Sequence, residues 1–257
     1  MTARIDLRQR LSQGTPFLFS WMTMPGAPLA AQLARGPIEG VCIDLQHGLI
    51  AATDAAAMAQ AITSAGRHSV VRVLWNDPGL VGHALDMGAS AVIAPMVNGA
   101  AEAQALVKAA KYPPAGQRSW GGYGAQQAAG MDGPTYLTQA NRITLVFAMI
   151  ETATALENVE AIAATPGLDG LFVGPSDLSI ALSNGAKLDR TAPQTLAAME
   201  RIAAAAKANG LVAGAFAGNV EIITAYRKLG YTFLAAAVDV DLLRTSADAL
   251  VKAVAGV

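Results

Sequence analysis

Eight short apolar runs separated by alanine-rich stretches restrict what this chain can fold into more than any other feature. The runs are Phe17–Met22, Gly40–Leu45, Ser69–Trp75, Ala91–Val97, Ile143–Ile150, Gly170–Gly174, Leu211–Phe216 and Thr232–Val238. Several are continuously apolar rather than alternating, the pattern of strands covered on both faces of a parallel sheet. Between them lie helical stretches: Ala51–Ala65, Ala100–Ala110, Ala153–Ala164 and Pro193–Ala208. Asn209-Gly210 follows the last of these as a helix stop. Repeated strand–helix units imply a parallel sheet. Eight of them in 257 residues match the usual size of one closed (β/α)8 barrel. The expectation is an α/β fold, a single TIM-barrel domain over residues 1–257. No G-x-G-x-x-G follows the first run, which lowers the dinucleotide-binding reading.

Composition removes other classes. A hydrophobic fraction of 53% and a charged fraction of 14% mean extensive burial. The net charge of -1, with no dense Lys/Arg cluster, argues against nucleic acid as a partner. No run has the length of a membrane helix, and Met1-Thr2-Ala3-Arg4-Ile5-Asp6 lacks the apolar core of a signal peptide. The one cysteine, Cys42, excludes an intrachain disulfide and reads as a buried, inert thiol within Val41-Cys42-Ile43. A cytoplasmic protein is expected.

Two connections are long. Lys111–Asn141 carries a glycine-rich segment whose Arg118 and Trp120 are candidates for contact with a second substrate, or else belong to a solvent-exposed or interface loop; Ser179–Pro193 follows Asp177. Long loops at the top of a barrel are usually functional. The last stretch, Val240–Val257, reads as an amphipathic helix that packs on its own barrel or on a neighbour.

In a barrel the C-terminal strand ends face the active site. Taken in order they offer Trp21, then Asp44 and His47, then Arg72, Glu151 and Asp177. Ionised carboxylates beside a dry core are costly unless compensated. Glu151 and Asp177, at successive strand ends, supply hard oxygen ligands suited to Mg2+ or Mn2+, with Co2+ also compatible. The plainer alternative is that Glu151 caps the following helix and Asp177 closes a turn. Arg72, inside an apolar run, needs anionic partners. It is either half of a structural ion pair or a donor aimed at a developing enolate. His47 stands beside Asp44, with Gly48 allowing a sharp turn; His68 reads as surface and His83 as structural. The turn Gly174-Pro175-Ser176-Asp177 starts a short helix whose free N–H groups suit a carboxylate.

These segments resemble the HpcH/HpaI aldolase family of metal-dependent pyruvate aldolases. The match is carried by Asp44-Leu45-Gln46-His47-Gly48, Val71-Arg72-Val73-Leu74-Trp75-Asn76-Asp77-Pro78, Ala94-Pro95-Met96-Val97, Tyr112-Pro113-Pro114-Ala115-Gly116-Gln117-Arg118, Ile150-Glu151-Thr152 and Val173-Gly174-Pro175-Ser176-Asp177-Leu178-Ser179. The resemblance implies that Glu151 and Asp177 bind the metal. It implies that His47 accepts the substrate proton with metal-bound water and that Arg72 stabilises the enolate. Asp86, from a neighbouring subunit, would raise the basicity of His47. The backbone at Ser176 and Asp177 would hold a 2-oxo acid carboxylate, and Trp21 and Phe172 would wall the pocket. A homo-hexamer with exchanged C-terminal helices is also implied. Two positions depart from the pattern: Gln46 stands where many members carry Glu, and Met149 where several carry a substrate-contacting Gln. The function expected is cleavage or formation of a 4-hydroxy-2-oxo acid from pyruvate or hydroxypyruvate and an aldehyde. A CoA-thioester lyase of the malyl- or citryl-CoA type and a non-catalytic 2-oxo-acid-binding protein are the rivals. A Schiff-base mechanism is not expected, because the lysines lie in helices or loops.

Overall fold

The computed structural model describes residues 5–256; Met1–Arg4 and Val257, which belong to the terminal segments considered above, lie outside the described residues. The chain opens with α1 (Leu7–Leu11), then runs β1 (Phe17–Met22), α2 (Ala27–Arg35), β2 (Gly40–Asp44), α3 (Ala52–Ser64), β3 (His68–Arg72), α4 (Pro78–Asp86) and β4 (Ala91–Ala94). Next come α5 (Ala100–Ala110), α6 (Tyr123–Ala129), α7 (Gly133–Ile143), β5 (Leu145–Ile150), α8 (Ala153–Glu157), α9 (Val159–Ala163) and β6 (Gly170–Val173). It finishes with α10 (Pro175–Leu182), α11 (Pro193–Ala208), β7 (Val212–Phe216), α12 (Val220–Lys228), β8 (Phe233–Val238) and α13 (Asp239–Ala255). The strands pair in sequence order, all parallel, and β8 closes on β1. This is a (β/α)8 barrel. No described helix is long and apolar enough to cross a membrane.

Period-two alternation divides each strand between two cores. Val41, Ile43, Val71, Val92, Val146, Ala148 and Leu171 pack outward against the helices. Phe17, Phe19, Trp21, Cys42, Val70, Ile93, Phe147, Phe172 and Phe233 fill the barrel interior. Glycines make room for the rings. A Cβ at Gly170 would stand 2.3 Å from Phe147, one at Gly214 would stand 2.8 Å from Phe172, and one at Gly40 would stand 3.0 Å from Phe17. The resulting stack is tight, with Phe19 and Phe233 centroids 4.4 Å apart and Phe147 and Phe233 centroids 4.7 Å apart.

Several expectations need correction. β3 starts at His68 and ends at Arg72; Leu74 and Trp75, expected in the strand, are about half exposed beyond it. β4 likewise stops at Ala94. His68 is buried rather than on the surface: its ring lies 5.7 Å from Phe17 and Nδ1 is 3.3 Å from Ser90 Oγ. The stretch Ala153–Ala164 is two helices interrupted at Asn158, not one. The connection Lys111–Asn141 contains α6 and most of α7, and α10 occupies the start of Ser179–Pro193. Thr152, not Glu151, caps α8: its side chain accepts from Ala155 N–H.

A buried ion pair closes the N-terminal end of the barrel. Lys111 Nζ donates to Asp169 Oδ2 at 2.8 Å and to the carbonyls of Thr144 and Asn141 at 2.7 and 3.0 Å. Asp169 also accepts from Val146 N–H at 2.9 Å and from Arg8. Burial pushes the Lys111 pKa down and Asp169 only partly restores it. This lysine is therefore held at the end of the barrel away from the strand C-termini. Removing one partner of a buried pair is strongly destabilising. Asp169→Ala should lower the free energy of unfolding by about 3–5 kcal/mol in urea titration; a loss under about 1 kcal/mol would show that the pair is dispensable.

Candidate active site

The inward parity of each strand carries on past the aromatic stack to the C-terminal mouth. On β2 it reaches Asp44, on β3 Arg72, on β5 Met149 and then Glu151, and on β6 Gly174. A cavity of about 270 Å3 opens there, lined by Trp21, Thr23, Asp44, His47, Arg72, Met149, Gly174, Pro175, Ser176, Asp177, Phe216 and Val238. This lies near the lower end of small-molecule pockets, roughly 300–1,000 Å3.

Arg72 and Asp44 form a two-pronged ion pair in its wall. Arg72 Nε donates to Oδ1 at 2.8 Å and Nη2 to Oδ2 at 2.6 Å. Trp21 Nε1–H donates to Oδ2 at 3.2 Å and Gln46 N–H to Oδ1 at 3.0 Å. Burial alone would raise the Asp44 pKa; Arg72, with help from Trp21 and Gln46, more than offsets it and holds the carboxyl below its ordinary value. The same surroundings settle Cys42: burial, reinforced by the Asp44 charge, pushes its thiol well above the usual range. The guanidinium lies 4.9 Å above the Trp21 ring. Arg72 is thus an ion-pair partner and a cavity-lining cation at once, with Nη1 outside the fork.

Glu151 is held differently. It is 3% exposed, and no Lys or Arg among the described residues forms a salt bridge with it. Oε1 accepts from Met96 N–H at 2.8 Å. Met96 takes a left-handed φ of 56° to present that N–H, and Asn98 Nδ2 donates to its carbonyl at 2.9 Å. Burial, aided by the charge of Asp177, raises the Glu151 pKa to about 7. The charge of Arg72 offsets this only in part. Asp177 is exposed in the first turn of α10. A buried acid with a second acid nearby and no ion-pair partner of its own fits a hard divalent ion. Among the described residues no group of three or more His, Cys, Asp or Glu gathers into a metal cage. Glu151 and Asp177 are the two carboxylates here that could hold such an ion, and two protein donors would leave coordination positions for water and substrate. Gly174 protects the arrangement, because a Cβ there would lie 2.6 Å from both Glu151 Oε2 and Met149 Cε.

The remaining expected residues divide. His47 is exposed at the mouth, its backbone N–H 3.4 Å from Asp44 Oδ1. Ser176 lines the cavity, while Phe172 lies fully buried beneath Trp21, ring centroids 5.9 Å apart, and does not line it. Asp86 is not at the mouth of this chain. It ends α4, pairs with Arg118 Nη2 at 2.6 Å, and faces a larger outer groove between α3, α4 and α6 that also holds His83. Arg118, considered for aldehyde contact, is instead a buried cation between Asp86 and Tyr136. Trp120 packs on Tyr112 and Tyr136, outside the cavity.

The sequence profile of the HpcH/HpaI aldolase/citrate lyase family matches residues 19–246. The chain belongs to this family. A hydroxypyruvate/pyruvate aldolase of Rhizorhabdus wittichii is 36% identical, the match covering 92% of this chain and 93% of that one. A 4-hydroxy-2-oxo-heptane-1,7-dioate aldolase of Klebsiella pneumoniae is 34% identical over 95% and 91%. The crystal structure of an HpcH/HpaI aldolase/citrate lyase family protein from Burkholderia cenocepacia J2315, 34% identical, aligns with a TM-score of 0.86 over 96% and 98%. As an HpcH/HpaI family aldolase the protein is a carbon–carbon lyase.

The family motifs do not announce three of the lining residues. Thr23 and Phe216 continue the inward parity of β1 and β7, a signal that was available in the strand patterns. Val238 was hidden by a bulge: Phe19 pairs with Ala235 but Ser20 with Ala237, so Ala236 is an extra residue that reverses parity. Asp239 then ties the mouth together, accepting from Thr23 N–H and Met24 N–H at 3.0 and 2.9 Å.

Glu151 carries a folded-state pKa above its ordinary 4.5. In metal-free protein its contribution to stability is therefore full below about pH 4.5 and is lost as pH rises through about 7. Glu151→Gln should flatten that part of the stability–pH profile. It should also abolish the rise in thermal midpoint on adding Mn2+ or Mg2+ at pH 8, as followed by calorimetry. An undiminished metal response in Glu151→Gln would remove Glu151 from the metal site.

Proposed function

We propose that this protein is a divalent-metal-dependent aldolase that joins the enolate of pyruvate or hydroxypyruvate to an aldehyde, and in reverse cleaves a 4-hydroxy-2-oxo acid. One observation carries the reading: a single small cavity unites His47, Arg72 and the α10 N-terminus beside a buried Glu151 that has no ion-pair partner and a pKa raised to about 7. Glu151 and Asp177 would hold the metal, Mg2+ or Mn2+ by the hardness of their oxygens. A divalent cation there supplies Lewis-acid polarisation of the 2-oxo group.

The protein's own groups do the rest. The N–H groups of Ser176 and Asp177, free in the first turn of α10, receive the substrate carboxylate. An imidazole nitrogen of His47 takes the C3 proton and returns it to the aldehyde-derived oxygen after the bond forms. Arg72 Nη1 donates to the enolate oxygen as its charge develops, and Asp44 keeps the guanidinium from swinging away. Trp21, Met149, Phe216 and Val238 keep bulk water from the enolate. Met149 offers no hydrogen bond to a 3-hydroxyl, so any preference between the two nucleophiles rests on cavity shape.

The assembly belongs to the same proposal. α13 has one buried residue, Asp239, and leaves Leu242, Leu243, Leu250, Val251 and Val254 exposed on this chain. An exchanged α13 in a homo-hexamer would cover that face, and would allow Asp86 of one subunit to approach His47 of another. Ultracentrifugation should then find a hexamer, and a monomer would end this part of the reading.

The direct test is exchange of the pyruvate methyl protons in deuterated water. Exchange should require added Mg2+ or Mn2+, stop with chelator, and fall about 100-fold or more in Arg72→Lys, which keeps a charge opposite Asp44 but loses the fork. Chelator-resistant exchange, or trapping of substrate by borohydride, would overturn the mechanism.

A further inference from the structure

Arg190 is a cation without an anion at the rim of the cavity. It precedes α11, in the connection that returns from α10 across the top of the barrel. Among the described residues it forms no salt bridge, and its one side-chain hydrogen bond is a long one, Nη1 to Ala217 O at 3.3 Å. Its guanidinium lies 5.9 Å from the centroid of Phe216, whose ring lines the cavity and meets Trp21 edge-on at 5.4 Å. Gly218 lies against both groups: a Cβ there would be 3.7 Å from Arg190 Nη1 and 3.5 Å from Phe216.

The local fold holds this cation in place and keeps acids off it. Tyr226 Oη–H donates to Arg190 O at 3.0 Å, and Thr195 Oγ1–H donates to Asp189 O at 3.1 Å, so the backbone is pinned on both sides. The adjacent Asp189 carboxylate is turned into its own loop, where it accepts from Thr191 N–H at 3.0 Å and Thr191 Oγ1–H at 3.1 Å. An arginine that faces a ring and has no carboxylate partner is available to an incoming anion. The cavity, about 270 Å3, has room for the reacting carbons but not for a long acceptor. The far end of such an acceptor must leave the mouth, and past Phe216 it meets Arg190.

We propose that Arg190 forms an anion subsite at the rim, selecting aldehyde acceptors whose far end carries a carboxylate. This rests on the aldolase reading and adds to it the chemical class of the second substrate. The subsite does not touch the enolate-forming step, so the two halves of the reaction separate in experiment.

The test uses the full-length, metal-loaded enzyme and two aldehydes of equal length, one ending in carboxylate and one in a methyl group. Wild type should favour the carboxylate. Arg190→Gln should raise KM for the carboxylate aldehyde about tenfold, the size of one partly exposed charge-assisted contact, and leave the methyl aldehyde unchanged. Arg190→Lys should recover part of the preference, and in wild type the preference should shrink with added salt. Methyl-proton exchange of pyruvate should be the same in all three proteins. Absence of exchange in wild type would defeat the aldolase reading itself. Intact exchange with no carboxylate preference, or an equal loss for both aldehydes in Arg190→Gln, would defeat the subsite alone.

Discussion

The interior of an eight-stranded closed barrel is too narrow for a large side chain on every strand, and that shortage of room organises the molecule. Phe17, Phe147, Phe172 and Phe233 are accommodated because Gly40, Gly170 and Gly214 face them with nothing. A one-residue slip of any strand would set ring against ring and move its core face outward. The aromatic stack therefore fixes strand register, and register fixes which residues arrive at the mouth. Asp44, Arg72 and Glu151 face inward because the phenylalanines and glycines below them do.

Three buried acids show how environment assigns roles to one functional group. Asp169 at the bottom is matched by Lys111 and serves the fold. Asp44 at the top is matched by Arg72 and stays ionised below its ordinary pKa. Glu151, buried beside a second acid and with no ion-pair partner of its own, is pushed up to about 7. Two carboxylates whose surroundings drive their pKa values apart often carry different tasks in an active site. Here one anchors a fixed cation, and the other, in the function proposed above, would receive a mobile one.

Much of this was readable in the chain because strands buried on both faces are apolar throughout. Each of the eight runs became a strand, and the breaks in apolarity at Asp44, Arg72 and Glu151 marked the mouth. At Leu74-Trp75 and Met96-Val97 apolar residues continue after pairing stops, so apolarity overstates the length of β3 and β4. The helices inside Lys111–Asn141 were obscured by glycine and proline, which here cap and start them: Gly130 ends α6 and Pro134 opens α7. Met96 could not be foreseen, since nothing about methionine signals a left-handed φ. The partners of Arg118 and the inversion at Ala236 are likewise three-dimensional facts. For Arg118 the sequence shows the charge and not Asp86, the acid that meets it.

The empty place at Gly174 binds three positions into one evolutionary unit. Any side chain there would occupy the volume held by the Glu151 carboxylate and the tip of Met149. Residue 149 is thus free to diversify only among shapes that leave the acid where it is, and position 174 can accept a side chain only after both neighbours have withdrawn. Variation in the substrate-facing wall of β5 is consequently tethered to the placement of the charge beside it. A lineage that reshapes this wall for a new nucleophile must travel through intermediates that keep position 174 bare.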